Sequence, residues 1–337
     1  MTPSVPPIGA FLWLMVILFS LILYVVLDGY DLGVGVLLLF PRQDKHRKEM
    51  IELIATSWDG NESWLVLVGI GLFAGFPLAY STLLPAIYVP AILMLLALIF
   101  RGVSFEFQSQ AQGYSRGWGL AFAVGSLIAA FCQGVIFGSI VEGIPVTNGH
   151  FSGTPFGFLQ GFSLLTGILF VCFYCLTGAS WLNNKTDGVL AASAKQKGRI
   201  LAVVVAMLLV VTMILAPLTS PVFARTFNTQ LLFVIGATFL ALISLWITWY
   251  SLKHLNNVIP FLFAVFPLVL ALLSLLVINY PYLVPPNITL WQAASPSTTV
   301  DFLLIAVSFC IPVVLGYNAF AYYVFRGKFT LPEQRKA

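Results

Sequence analysis

Of the twelve acidic residues in this 337-residue chain, Asp28, Asp31, Asp59, Glu62 and Glu106 are embedded in or abut apolar sequence. A carboxylate at the middle of a membrane helix costs up to about 3 kcal/mol on insertion scales, so acids in such places commonly mark a proton or ion path. Asp28 and Asp31 stand three residues apart, as do Asp59 and Glu62, and side chains at that spacing share a helix face. Two such pairs near the same ends of successive helices can meet and form a protonatable cluster. The same acids also suit a static network that caps the second helix and pairs with Arg101 or loop lysines. The other seven acids, Asp44, Glu49, Glu52, Glu142, Asp187, Asp301 and Glu333, read as solvated charges in loops or near helix ends.

Redox and metal chemistry find little support in the residues. The only histidines are His46, His150 and His254, all in loops or at helix ends, so no pair faces another across a bilayer to hold a haem. No Cys/His cluster has the spacing of a metal site. Cys172 and Cys175 spell C-x-x-C inside an apolar stretch, where packing is the expected role; Cys132 and Cys310 are similarly placed, and no disulfide is expected.

The elements that must position these acids follow from composition. Hydrophobic residues make up 60% of the chain and charged residues 8%, against about 25% charged in soluble domains. Lipid must be the solvent for most of this chain. Nine apolar runs span about 8–40, 54–76, 79–101, 119–141, 157–182, 199–218, 228–250, 258–279 and 300–325. The first is too long for one upright span and must tilt, kink or project. Its Gly29 and Gly33 form G-x-x-x-G, which permits close approach by another helix.

Segments after odd-numbered runs hold Arg42, Lys45, Arg47, Lys48, Arg101, Arg116, Lys185, Lys195, Lys197, Arg199, Lys253, Arg326, Lys328, Arg335 and Lys336, leaving only Arg225 on the other side. Cytoplasmic segments collect Lys and Arg, so the expected topology is nine spans with the N-terminus outside and the C-terminus in the cytoplasm. The fold class is an all-α polytopic membrane protein with residues 1–337 as one integral domain. Helices 1–4 and 5–8 are expected as two four-helix bundles, allowing a pseudo-repeat, with the ninth peripheral. The first 41 residues contain no Lys or Arg, so a secretory signal with a basic n-region is not expected. The proline-rich stretch from Tyr280 to Val300, with Tyr282 and Trp291, should lie at the outer interface.

These residues carry a specific resemblance. Leu27-Asp28-Gly29-Tyr30-Asp31-Leu32-Gly33-Val34-Gly35, a basic loop, and Trp58-Asp59-Gly60-Asn61-Glu62-Ser63-Trp64 resemble the N-terminal signature of subunit II of the cytochrome bd-type quinol oxidases, including the cyanide-insensitive branch. The likeness continues through Phe76-Pro77, Tyr88 and Phe100-Arg101-Gly102-Val103-Ser104-Phe105-Glu106-Phe107. Later echoes are Thr177-Gly178-Ala179-Ser180-Trp181-Leu182 and Pro285-Pro286-Asn287-Ile288-Thr289-Leu290-Trp291.

The resemblance implies a haem-free subunit of an electrogenic terminal oxidase that reduces dioxygen to water with electrons from quinol. Its partner, subunit I, would carry the b-type haems and a d-type or further b-type haem. This chain would bind no cofactor alone, apart from a structural quinone held by some relatives, and small single-span subunits could join. The position matching Asp59 is assigned to proton uptake at the interface with subunit I, and Trp64 matches a tryptophan on an oxygen-access route. Asp59 is thus the first choice for a relay, with Asp28, Asp31 and Glu106 supporting and Arg101 as counter-charge. Gly69, Gly71 and Gly75 could leave an apolar gap for oxygen. The expected location is a prokaryotic cytoplasmic membrane, with lipid as solvent. The competing readings are a cation-coupled secondary transporter, which acids beside glycine-rich helices also suit, and a purely structural membrane subunit.

Overall fold

The computed structural model describes residues 8–41, 43–55, 58–111, 114–147, 149–220, 223–225, 229–324 and 326–329. Arg42, Glu333, Arg335 and Lys336 of the charge pattern lie outside the described residues. Lipid offers no hydrogen bonds to the backbone, so apolar runs of this length close their own bonds as helices. The long helices are α1 (Ile8–Leu37), α3 (Trp58–Gly75), α4 (Pro77–Gln110), α5 (Arg116–Glu142), α6 (Gly161–Lys185), α7 (Gly188–Thr219), α8 (Leu231–His254), α9 (Ile259–Asn279) and α11 (Ser297–Val324). Eight of these are long and apolar enough to cross a membrane. The exception is α3, whose 18 residues open on the polar run Asp59-Gly60-Asn61-Glu62-Ser63.

Three boundaries differ from the sequence pattern in ways that matter. The stretch after α1, expected as a basic loop, forms an amphipathic helix, α2 (Asp44–Ile54), that buries Met50, Ile51, Leu53 and Ile54. The third run continues as helix well past residue 101, which places Arg101 and Glu106 inside α4. The sixth run starts at Gly188, so Lys195, Lys197 and Arg199 are helical residues of α7. Charged residues ended the apolar runs in the hydropathy reading, but the backbone continues as helix through them because their side chains pack or reach an interface.

Helices α1, α3, α4 and α5 pack in a ring, and α6, α7, α8 and α9 form a second. Contacts of α1 and α5 with α6 join the rings, and α11 lies against α1 and α3. The crossing of α1 on α6 depends on glycine. A methyl at Gly33 would overlap the Tyr174 carbonyl, one at Gly178 would meet the Gly33 backbone at 2.6 Å, and one at Gly29 would strike the Tyr174 ring. The Gly29/Gly33 spacing therefore does what G-x-x-x-G predicts.

The segment between α9 and α11 folds back on the bundle. Strands β3 (Tyr282–Val284) and β4 (Ile288–Thr289) pair antiparallel, and a turn of helix, α10 (Leu290–Ala293), begins with a capping box between Thr289 and Gln292. Ser295 then ties the segment to the end of α3, donating from its backbone to Gly75 at 2.9 Å and from its hydroxyl to Ala74 at 2.7 Å. A second small ribbon, β1 (Val146–Thr147) with β2 (His150–Phe151), follows α5. The bundle exterior is apolar, with Phe309 72% and Val313 71% exposed on α11.

Candidate functional site

The buried charge lies where α1, α3 and α4 converge. Arg101 of α4 reaches Asp28 of α1, its Nη2 donating to Oδ1 at 2.7 Å and its Nη1 to Oδ2 at 3.4 Å. Both side chains are 0% exposed. Glu62 of α3 completes the pair from the other side, its Oε1 lying 3.5 Å from Nη2 with 25% of the side chain exposed. The guanidinium also lies over the Phe122 ring of α5, 5.8 Å from its centroid. Gly125 lets α5 come this close: a methyl there would meet the Ala97 carbonyl at 2.9 Å and the Arg101 Cβ at 3.3 Å.

Asp31, one turn further along α1, is held separately. Asn61 of α3 donates to its Oδ2 at 2.8 Å and to the Leu27 carbonyl at 3.2 Å, while Asp31 Oδ1 has no partner among the described residues. Tyr322 of α11 donates to Asn61 Oδ1 at 3.4 Å and lies 2.8 Å from the Tyr30 hydroxyl. On the other side of Asp28 a second polar chain crosses the bundle. The Tyr174 hydroxyl donates to Gln133 Oε1 at 2.6 Å, and Gln133 Nε2 donates to the Tyr24 hydroxyl at 2.8 Å.

The anticipated site residues therefore divide. Asp28, Asp31 and Arg101 are buried together, as their spacing allowed, and Glu62 joins them. Asp59 is exposed at the start of α3, and Glu106 is exposed on α4, accepting from Gln110 at 2.9 Å. Neither enters the buried cluster. Trp64 is 1% exposed and packs edge-on against Phe19. The glycines beyond it leave less space than expected. Trp13 fills the side of α3 at Gly71 and Gly75, donating its indole N–H to the Gly71 carbonyl at 2.9 Å, and only Gly69 of the three faces open space.

Asn61, Tyr30, Tyr322, Tyr24, Gln133 and Tyr174 were not anticipated. Gln133 had a signal, as a lone amide inside an apolar run, and Asn61 lay between the two acids of α3. The tyrosines had none, because a membrane helix uses tyrosine for packing and at interfaces as well. His46 lies on α2, His150 on β2 and His254 at the end of α8, and all are outside the bundle interior. No group of three or more His, Cys, Asp or Glu side chains that could hold a metal ion occurs among the described residues.

Fold and site define the class: a polytopic helical membrane protein whose buried polar residues form a carboxyl–guanidinium cluster. Residues 9–325 match the profile of the family described as cytochrome bd terminal oxidase subunit II, and the chain belongs to that family. It is similar to the cytochrome bd-I ubiquinol oxidase subunit 2 of Escherichia coli K12, 27% identical over 95% of each chain. It is equally similar to the cytochrome bd ubiquinol oxidase subunit 2 of Bacillus subtilis 168, 27% identical over 94% of this chain and 95% of that one. Its fold matches a chain of the bd oxidase from Geobacillus thermodenitrificans with a TM-score of 0.78, covering 95% of this chain and 99% of that one at 17% identity.

Proposed function

We propose that the chain is the haem-free subunit of an electrogenic quinol oxidase of a prokaryotic cytoplasmic membrane, and that it stabilises a haem-bearing subunit I and admits protons from the cytoplasm. Nine crossings are part of this reading, with α3 as the ninth, the N-terminus outside and the C-terminus in the cytoplasm. The two rings of four helices support a pseudo-repeat within one membrane domain. Quinol and dioxygen are substrates of the complex, and its redox centres belong to the partner.

One observation carries the proton role. Exposure falls along α3 and inward, from exposed Asp59 through Glu62 at 25% to Asp28 and Arg101 at 0%. Asp59 and Glu62 share a helix face, so a proton collected at the surface has its next carboxyl one turn deeper. Within the cluster one guanidinium faces Asp28 and Glu62, with Asp31 one turn away on α1, and charge balance in a low-dielectric site then favours carrying protons along with the carboxyls. Asp59, on the surface, suits the interface with subunit I. Glu106 is the weaker supporting acid, because it is exposed on α4 and accepts from Gln110.

The test is proton uptake and oxygen consumption in proteoliposomes of the intact complex carrying Asp59→Asn or Glu62→Gln. Both should fall with either variant while assembly is retained. Unchanged uptake with both would sink the relay and leave family membership untouched. A structural reading has its own support for one residue: Asp28 and Arg101 are both fully buried and doubly hydrogen-bonded, the geometry of a helix clamp.

A further inference from the structure

On the opposite side of the molecule, α7 and α8 enclose a groove of about 750 Å³ with three cations on its walls, Lys195 and Arg199 from α7 and Lys253 from the last turn of α8. None of the three makes an ion pair among the described residues, and Asp187, in the turn before α7, is taken by Lys328. Cations at a membrane boundary ordinarily extend their heads into water. Arg199 does not. Its guanidinium is stacked on Trp249 of α8, 4.5 Å from the ring centroid, and its Nε is shielded from solvent with no hydrogen-bond acceptor among the described residues.

Away from the cations the groove floor turns apolar. Ile200, Val203 and Met207 are exposed along α7, and Val210, Val211 and Ile214 continue the lane. From residue 200 to residue 214 the lane is about 21 Å long at 1.5 Å per residue, more than the ~15 Å half-thickness of a hydrocarbon core. A positive head end, an aromatic wall and an apolar lane of acyl length belong to one kind of ligand.

We propose that this groove is a binding site for an anionic phospholipid, whose phosphate lies among Lys195, Arg199 and Lys253 and whose acyl chain runs down α7 over Ile200, Val203 and Met207. The phosphate diester supplies acceptor oxygens to the Arg199 guanidinium, and its negative charge balances cations that no carboxylate among the described residues offsets. The apolar lane selects a lipid over a free anion.

Native mass spectrometry of the intact detergent-purified complex tests this after exposure to micelles doped with phosphatidylglycerol or phosphatidylcholine, or to inorganic phosphate alone. Phosphatidylglycerol should be retained, about fivefold less for each cation removed and on the order of 100-fold less for the Lys195→Gln/Arg199→Gln/Lys253→Gln variant. Lys45→Gln/Arg116→Gln, with comparable charge lost elsewhere, should retain it fully. Should the triple variant fail to assemble, Arg199→Gln and Lys253→Gln singly carry the same expectation at smaller amplitude. Equal retention of phosphatidylcholine, retention indifferent to the cations, or displacement by inorganic phosphate would each overturn the proposal. So would a carbodiimide cross-link from Lys253 to another subunit, which would put a protein in the groove.

Discussion

Asp28 and Arg101 form a fully buried ion pair that is hazardous to break. Both are at 0% exposure, so removing one leaves the other charged and short of a partner. Asp28→Asn should therefore destabilise the bundle by about 3–5 kcal/mol, seen as a lower melting temperature of the purified complex. The double variant Asp28→Leu/Arg101→Leu should recover only part of that loss, because it removes both fully buried charges but leaves Glu62 without the guanidinium. Glu62 stands differently. Its side chain is 25% exposed and lies 3.5 Å from the guanidinium, so Glu62→Gln should leave melting nearly unchanged and lower proton uptake. A variant pair that moves stability and uptake together at both positions would argue that the whole cluster is a clamp.

At the scale of the elements, close helix approach sets the site. The acids of α1 face α3 and α4 only because α1 lies hard against α6 on its opposite side, at Gly33 and Gly178. Gly33→Ala inserts a methyl where the Tyr174 carbonyl stands, and overpacking of this kind typically costs about 1–3 kcal/mol. Faster amide exchange around Tyr174 and a lowered melting temperature are the expected readouts. Gly69→Ala is the matched control, since nothing lies within 4 Å of that position, and it should be neutral. Gln133 bridges α1, α5 and α6 through Tyr24 and Tyr174, so Gln133→Leu should strand two buried hydroxyls and destabilise by about 1–3 kcal/mol.

Across the whole molecule the open quantity is topology. Eight helices satisfy length and apolarity, and α3 falls short because its first turns carry the residues that build the site. Nine crossings put the α2 segment and the α8–α9 turn on the C-terminal side, and the β1–β2 ribbon on the other. Single cysteines at Lys45, Asn256 and Thr154 distinguish the cases: in sealed inside-out vesicles an impermeant maleimide should label the first two and spare the third. Eight crossings, with α3 not spanning, would put Thr154 on the side of Lys45 and Asn256 opposite, and that labelling pattern would overturn the nine-span topology.

The helix content, the membrane solvent and the acids worth attention were legible in the chain, because hydropathy and the cost of charge in lipid act on each residue regardless of its neighbours. The Asp28/Asp31 spacing and the Gly29/Gly33 pair were legible too, since helical periodicity fixes which residues share a face. Partners, apart from Arg101 as counter-charge, were not. That Arg101 acts from within α4, that Asn61 holds Asp31, that Asp59 and Glu106 are exposed, and that Trp13 closes the space beside Gly71 and Gly75 are outcomes of how helices far apart in sequence pack. Local sequence dictates each helix and its faces; only the rotation and crossing of the helices, set by the sum of their contacts, decides which faces meet.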